Sequence, residues 1–153
     1  MHYVDTSAIV KLYIKEDLSF EVSNWIRTHN EAIPLTAFHE LEFRNVLYLK
    51  QFRSEITDDQ VRRVLLKFED HKKKGVYCFP PLNWADAMSR AIDLARAHTR
   101  KTGARSLDIL HVALPLCIKA DGFLTLDERQ ATLAASAGLK LEDCTKPLHT
   151  GCQ

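Results

Sequence analysis

Short apolar runs alternate with longer stretches of helical spacing along nearly the whole chain. His2-Tyr3-Val4-Asp5 reads as a brief strand running at once into a helical stretch, Thr6 to Tyr13. Ser19 to His29 follows, with Ser19 placed to cap and Val22, Trp25 and Ile26 at the helical intervals of three and four. Ala32-Ile33-Pro34-Leu35 is a second strand, kept short because Pro34 has no amide hydrogen to give a ladder. Ala37 to about Lys50 is helical, with Phe38, Leu41, Asn45 and Leu49 along one side. Thr57-Asp58-Asp59 opens the next helix, where its acidic residues complement the helix dipole. Val61, Val64, Leu65 and Phe68 continue it, and Lys72-Lys73-Lys74-Gly75 closes it.

Val76-Tyr77-Cys78-Phe79 is a third strand stopped by Pro80-Pro81. Asn83 to about Lys101 is a helix whose buried stripe is Trp84, Ala87, Ala91, Leu94 and Ala95. Ser106 to Ala120 is apolar on most sides, which marks a central helix. Gly122 to Thr125 is a fourth strand, a helix from Glu128 to Ala137 follows, and Leu139-Lys140-Leu141 is a short fifth strand. Strands separated by helices predict an α/β chain: a short parallel sheet of about five strands covered on both faces, as a three-layer α/β/α fold. One domain spans residues 1–142, and 143–153 is expected to be a flexible tail.

Composition narrows the function. The 153 residues make one ordinary domain, and 21 Lys and Arg against 20 Asp and Glu leave a formal charge of +1. That balance excludes a chain that grips nucleic acid by bulk charge, though not one with a local basic surface. The longest apolar stretch, Ile109 to Ile118, is far shorter than a membrane span. Asp5 and Lys11 fall where a secretory signal would need an apolar run. Cys78, Cys117, Cys144 and Cys152 form no CxxC pair, so reduced thiols in the cytoplasm are the simplest reading.

The candidate chemistry lies in four acids. Asp5 and Asp127 stand at the carboxyl ends of strands, where ligands of such folds bind, although each alone is equally well explained as an N-cap. Asp108 sits in a helix with little polar surface, where an ionised carboxylate needs a first-turn amide, a partner such as Arg105, or a cation. Glu42 has Glu40 as its solvated neighbour and Arg44 within reach. Carboxylates that converge must share protons or a cation, and oxygen-only ligands favour Mg²⁺ or Mn²⁺ over zinc. Such ions activate water and stabilise charge on a phosphoryl group.

The segments Val4-Asp5-Thr6-Ser7-Ala8, Leu41-Glu42-Phe43-Arg44-Asn45-Val46-Leu47, Arg105-Ser106-Leu107-Asp108-Ile109-Leu110-His111-Val112-Ala113 and Phe123-Leu124-Thr125-Leu126-Asp127 occur in that order. In that order the chain resembles the PIN-domain ribonucleases, and among them the VapC-type toxins of toxin–antitoxin pairs. The resemblance implies a PIN-like fold, a homodimer, RNA as substrate, Mg²⁺- or Mn²⁺-dependent endonucleolytic cleavage, and a cognate antitoxin protein. It assigns the four acids as Asp5, Glu42 (rather than Glu40), Asp108 and Asp127, serving as both catalytic and metal-binding residues. Thr6 is then a hydroxyl that orients Asp5 or a bound water, and Asn45 and Arg105 are supporting groups. Arg44 and Arg129 are further candidates to meet phosphate, and Lys72 to Lys74 are most simply a solvated helix end.

Pro115 departs from the pattern and predicts a kink or break after Ala113, which puts the dimer surface in question. His111, one turn past Asp108, is more simply a structural histidine, since the metal mechanism needs none. The alternatives are a PIN-like module that binds RNA or protein without cutting, and a phosphotransfer protein using Asp5 or Asp127. The latter lacks a second acid beside Asp5.

Overall fold

The computed structural model describes residues 1–146. In chain order the elements are β1 (His2–Val4), α1 (Thr6–Val10), α2 (Ser19–His29), β2 (Ile33–Pro34), α3 (Ala37–Phe52), α4 (Asp58–Lys73), β3 (Tyr77–Cys78), α5 (Trp84–Thr102), α6 (Ser106–Cys117), β4 (Gly122–Leu124), α7 (Glu128–Ser136) and β5 (Leu141–Glu142). The five strands are hydrogen-bonded as three plus two: β1-β4-β5 form one parallel sheet and β2-β3 a parallel pair. β2 lies beside β1, and there the buried His39 side chain donates from Nε2 to the Val4 carbonyl at 3.1 Å. The spatial order is therefore 3-2-1-4-5.

Strand alternation divides the core. Neighbouring side chains of a strand point to opposite faces. Accordingly Tyr3 and Phe123 join one buried cluster with α5, α6 and α7, whereas Val4 and Leu124 join the other with α1, α2, α3 and α4. Helices thus cover both faces in an α/β/α arrangement. The short strands suffice because β1 and β4 are almost wholly buried, with Tyr3 and Phe123 in one core cluster with the apolar face of α6.

Several local expectations are corrected. Helix α6 continues through Pro115 to Cys117 instead of breaking after Ala113. The proline falls in the last turn, so only the His111 carbonyl loses its i+4 donor, and Ile118 N–H still reaches the Leu114 carbonyl at 3.0 Å. Leu18, in left-handed backbone at φ 66°, occupies the N-cap of α2; the Ser19 hydroxyl turns back to accept the Glu16 amide at 2.9 Å. Trp84 is 40% exposed, because it opens α5 ahead of the stretch where Ala87 and Leu94 pack inward. Lys72 is no free helix end but pairs with Glu40 and Glu69, at 3.0 and 2.9 Å.

Within the segment expected to be a tail, Cys144 is buried in the first core cluster. The remainder, 147–153, including Cys152, lies outside the described residues. Cys78, Cys117 and Cys144 are all free thiols. Among the described residues no helix is long and apolar enough to cross a membrane.

Candidate active-site cleft

In the order 3-2-1-4-5 the chain reverses direction across the sheet between β1 and β4, and the carboxyl ends of those two strands open onto a cleft of about 350 Å³. Asp5, Glu42, Asn45 and Asp127 line it together with His111, and Leu41 and Leu107 supply apolar walls. A larger groove of about 710 Å³ runs along α5 and the end of α6. Its Asp86, Arg90, Asp93 and Lys119 are charges of both signs set around an open surface rather than a converging constellation.

Asp5 is fully buried at the end of β1. Four donor contacts hold its carboxylate: the Ser7 hydroxyl to both oxygens at 2.7 and 3.0 Å, the Ala8 amide at 3.0 Å and the Thr125 hydroxyl at 2.8 Å. Burial nevertheless raises its pKa above the ordinary aspartate value, outweighing the lowering by His111 and by those hydrogen bonds. The Asp5 carboxylate is thus an anion held where anions are disfavoured.

Glu42 approaches from α3 and keeps 19% of its side chain exposed. Its Oε2 accepts from the Thr6 hydroxyl at 2.8 Å and lies in short contact with His111 Nε2. His111, 1% exposed, has its other ring nitrogen 3.1 Å from the Tyr3 hydroxyl. Every group is satisfied when Tyr3 donates to Nδ1 and Nε2–H donates to Glu42. The phenol stays protonated for this purpose: burial, then the charges of Asp5 and Glu42, raise the Tyr3 pKa well above its usual value.

Glu40 turns away to Lys72 and Arg44, so of the two neighbouring glutamates it is Glu42 that lines the cleft. His39 secures α3 at the correct height. Its Nδ1 accepts the Thr36 amide at 3.1 Å while Nε2 donates to Val4, and burial depresses its pKa to about 3.

Asp127 caps α7, its Oδ1 accepting the Arg129 and Gln130 amides at 2.8 and 3.0 Å. Asp108 is not among the cleft-lining residues. Its Oδ2 accepts the Arg105 amide at 2.8 Å, the first-turn arrangement, one turn before His111 on the same helix face. The Arg105 side chain is exposed and forms no ion pair among the described residues. Arg44 is engaged by Glu69 at 2.8 Å, and Arg129 is exposed.

Thr6 bonds Glu42 rather than Asp5; Ser7 and Thr125 orient Asp5 instead. Sequence reading passed over Ser7, Thr125, Tyr3 and His39. The Asp-Thr-Ser and Thr-x-Asp strings carried the signal for the first two, whereas Tyr3 and His39 carried none.

The donor set suits a hard cation in one respect and not in another. The cleft offers carboxylate oxygens from Asp5, Glu42 and Asp127 and no thiolate, as Mg²⁺ or Mn²⁺ require. However, no three of the four acids bring ligand oxygens within 4.8 Å of one another. That spacing fits a hydrated ion, since Mg²⁺ keeps several waters and takes one or two carboxylates directly.

The fold is the PIN-like α/β/α class. Among solved structures, the crystal structure of FitAcB from Neisseria gonorrhoeae is similar, with a TM-score of 0.67 over 96% of this chain and 100% of that one. At 14% identity the likeness is one of fold. No family model and no curated protein matches the sequence.

Proposed function

We propose that the chain is a metal-dependent endoribonuclease acting as the toxin of a VapBC-type toxin–antitoxin pair. The observation that carries the reading is Asp5, a fully buried carboxylate at the end of β1 that shares one cleft with Glu42 and Asp127. The sequence resemblance to PIN-domain toxins and the fold likeness to FitAcB support it. Asp5, Glu42 and Asp127 would hold Mg²⁺ or Mn²⁺, with Asp108 adding charge from the start of α6. The ion would lower the pKa of a water for attack on a phosphodiester and offset the charge that develops there.

The chain's own residues do the positioning. Ser7, Thr125 and the Ala8 amide fix both oxygens of Asp5, and Thr6 with His111 fixes Glu42, so neither carboxylate needs to reorganise when substrate arrives. Leu41 and Leu107 form apolar walls at the mouth of the cleft. RNA would be the substrate, an antitoxin protein would cover the cleft, and a homodimer is the expected assembly.

The test is cleavage of a mixed RNA pool by wild type and Asp5→Asn, each with Mg²⁺, with Mn²⁺ and with EDTA. Cleavage should need metal and vanish in the variant. Cleavage indifferent to EDTA or to Asp5→Asn overturns the reading. One observation favours the second reading, a PIN-like module that binds RNA or protein without cutting: Asp108, the third acid, bonds its own helix and does not line the cleft. RNA binding without cleavage by wild type would decide for that module.

A further inference from the structure

On the face of the sheet that α2 covers, away from the acidic cleft, three side chains from three elements converge: His2 of β1, His29 of α2 and Glu142 of β5. One ring nitrogen of each histidine and a carboxylate oxygen of Glu142 all lie within 4.8 Å of one another. It is the sole such grouping of metal-ligating side chains among the described residues. We propose that these three residues form a binding site for a first-row divalent cation of the Zn²⁺ type.

The hydrogen bonds around the two rings direct their lone pairs. His2 Nδ1 is 3.0 Å from the Glu31 carboxylate, and His29 Nδ1 is 2.8 Å from the Trp25 carbonyl. A carbonyl and a carboxylate can only accept, so both Nδ1 atoms carry the proton and both Nε2 atoms are left as ligands. A carboxylate or carbonyl behind each imidazole is the outer arrangement that metal-bound histidines require. Stacking of His29 on Trp25, at 3.8 Å between centroids, and the edge contact of His2 with Trp25 hold both rings in place.

With its proton on Nδ1, His2 presents a bare Nε2 to Glu142 Oε1 at 3.6 Å. That is too long for a hydrogen bond and brings a lone pair toward an anion. It is also close to the ~3.3 Å that separates two ligands on one tetrahedral Zn²⁺ with bonds of about 2.0–2.1 Å. Glu142 Oε1 is buried, and its charge is offset by the Lys140 ammonium 2.8 Å away, on a side chain 69% exposed. A bound cation would take the place of that ammonium against the carboxylate.

Gly122 makes the approach feasible. A methyl group there would collide with the Glu142 carboxylate and lie 2.7 Å from His2 Cδ2. Two imidazoles and one carboxylate form a set that Zn²⁺ accepts, with a fourth position left for water. Bound there, the cation ties α2 and β5 to the first strand.

The experiment is a Co²⁺ titration of the full chain in excess Mg²⁺, which occupies hard carboxylate sites, read by visible absorption and then by Zn²⁺ competition. Wild type should bind one Co²⁺ per chain, with the intense band of a four-coordinate nitrogen and oxygen site that Zn²⁺ abolishes. His29→Ala should remove the band, and Glu31→Gln, which takes away the charge behind His2 along with its pairing to the N-terminal ammonium, should weaken binding roughly 10–100-fold. Zn²⁺ should raise the melting temperature of wild type and not of His29→Ala. No band in wild type, or the same band and affinity in His29→Ala, overturns the proposal. Because the readout is metal binding away from the cleft, it stands or falls separately from RNA cleavage.

Discussion

His111 and Glu42, 69 positions apart, meet through one short contact that ties α6 to α3 across the acidic cleft. Replacing His111 by Phe leaves the Glu42 carboxylate with Thr6 alone and strands the Tyr3 hydroxyl in the core. The expected loss is about 1–3 kcal/mol of stability, read from urea midpoints at constant m-value. His111→Gln, still able to donate to Glu42, should recover part of it. Equal midpoints for wild type and His111→Phe would show that the contact contributes nothing.

Asp5→Asn should raise stability while abolishing cleavage. Burial disfavours the Asp5 anion, and for an acid whose folded pKa is raised, stability is lost as pH climbs above the unfolded value. Asn removes that penalty and keeps an oxygen for the Ala8 amide and an NH₂ for the Thr125 hydroxyl. A higher melting temperature than wild type at pH 7 is expected in metal-free buffer. A lower melting temperature would mean that the hydrogen bonds outweigh the burial cost.

His39 sets an acid limit on the fold. Its folded pKa of about 3 lies below the 6.5 of a free histidine, so the unfolded chain binds the extra proton between those values. Stability must therefore fall as pH drops below about 6.5, by up to about 1.4 kcal/mol per pH unit from this residue. Denaturant unfolding of wild type and His39→Gln across that window checks it: the variant should start less stable and show a shallower acid slope. Parallel slopes would remove His39 as the cause.

Asp108→Asn separates two roles at the start of α6. Asn can accept the Arg105 amide as Asp does, so stability should change by less than about 0.5 kcal/mol. Metal-dependent cleavage should fall by about tenfold or more through the lost charge. Undiminished cleavage would make Asp108 a helix cap and nothing more.

Most of the architecture was legible in the sequence because helical periodicity and caps are local. The Thr57 and Asn83 caps and the order of strands and helices follow from neighbours a few residues apart. Misreadings arose where a distant contact decides. Trp84 fits the apolar stripe of its helix but begins before the packing surface. Pro115 breaks a helix by local rules, yet in the last turn of a buried helix only one hydrogen bond is forfeited.

In the cleft, Asp5, Glu42 and Asp127 stand in strings that the sequence displays, as do Ser7 and Thr125, whereas which partner each acid keeps does not show there. That Thr6 serves Glu42, that Ser7 and Thr125 serve Asp5, and that His111 turns to Glu42 are facts of tertiary geometry. The gathering of His2, His29 and Glu142 was invisible for the same reason, since its members stand in three elements up to 140 positions apart.

β1 feeds both cores with adjacent side chains and finds its hydrogen-bonded partner only in β4, and Asp5 receives the Thr125 hydroxyl 120 positions later. During synthesis β1 must therefore wait, unpaired, until β4 has been made. Until β4 and Thr125 have left the ribosome the sheet lacks its middle ladder and Asp5 lacks a ligand that orients it. The nascent chain thus carries Asp5 and Glu42 without a cleft, and the cleft forms only once β4 has joined β1.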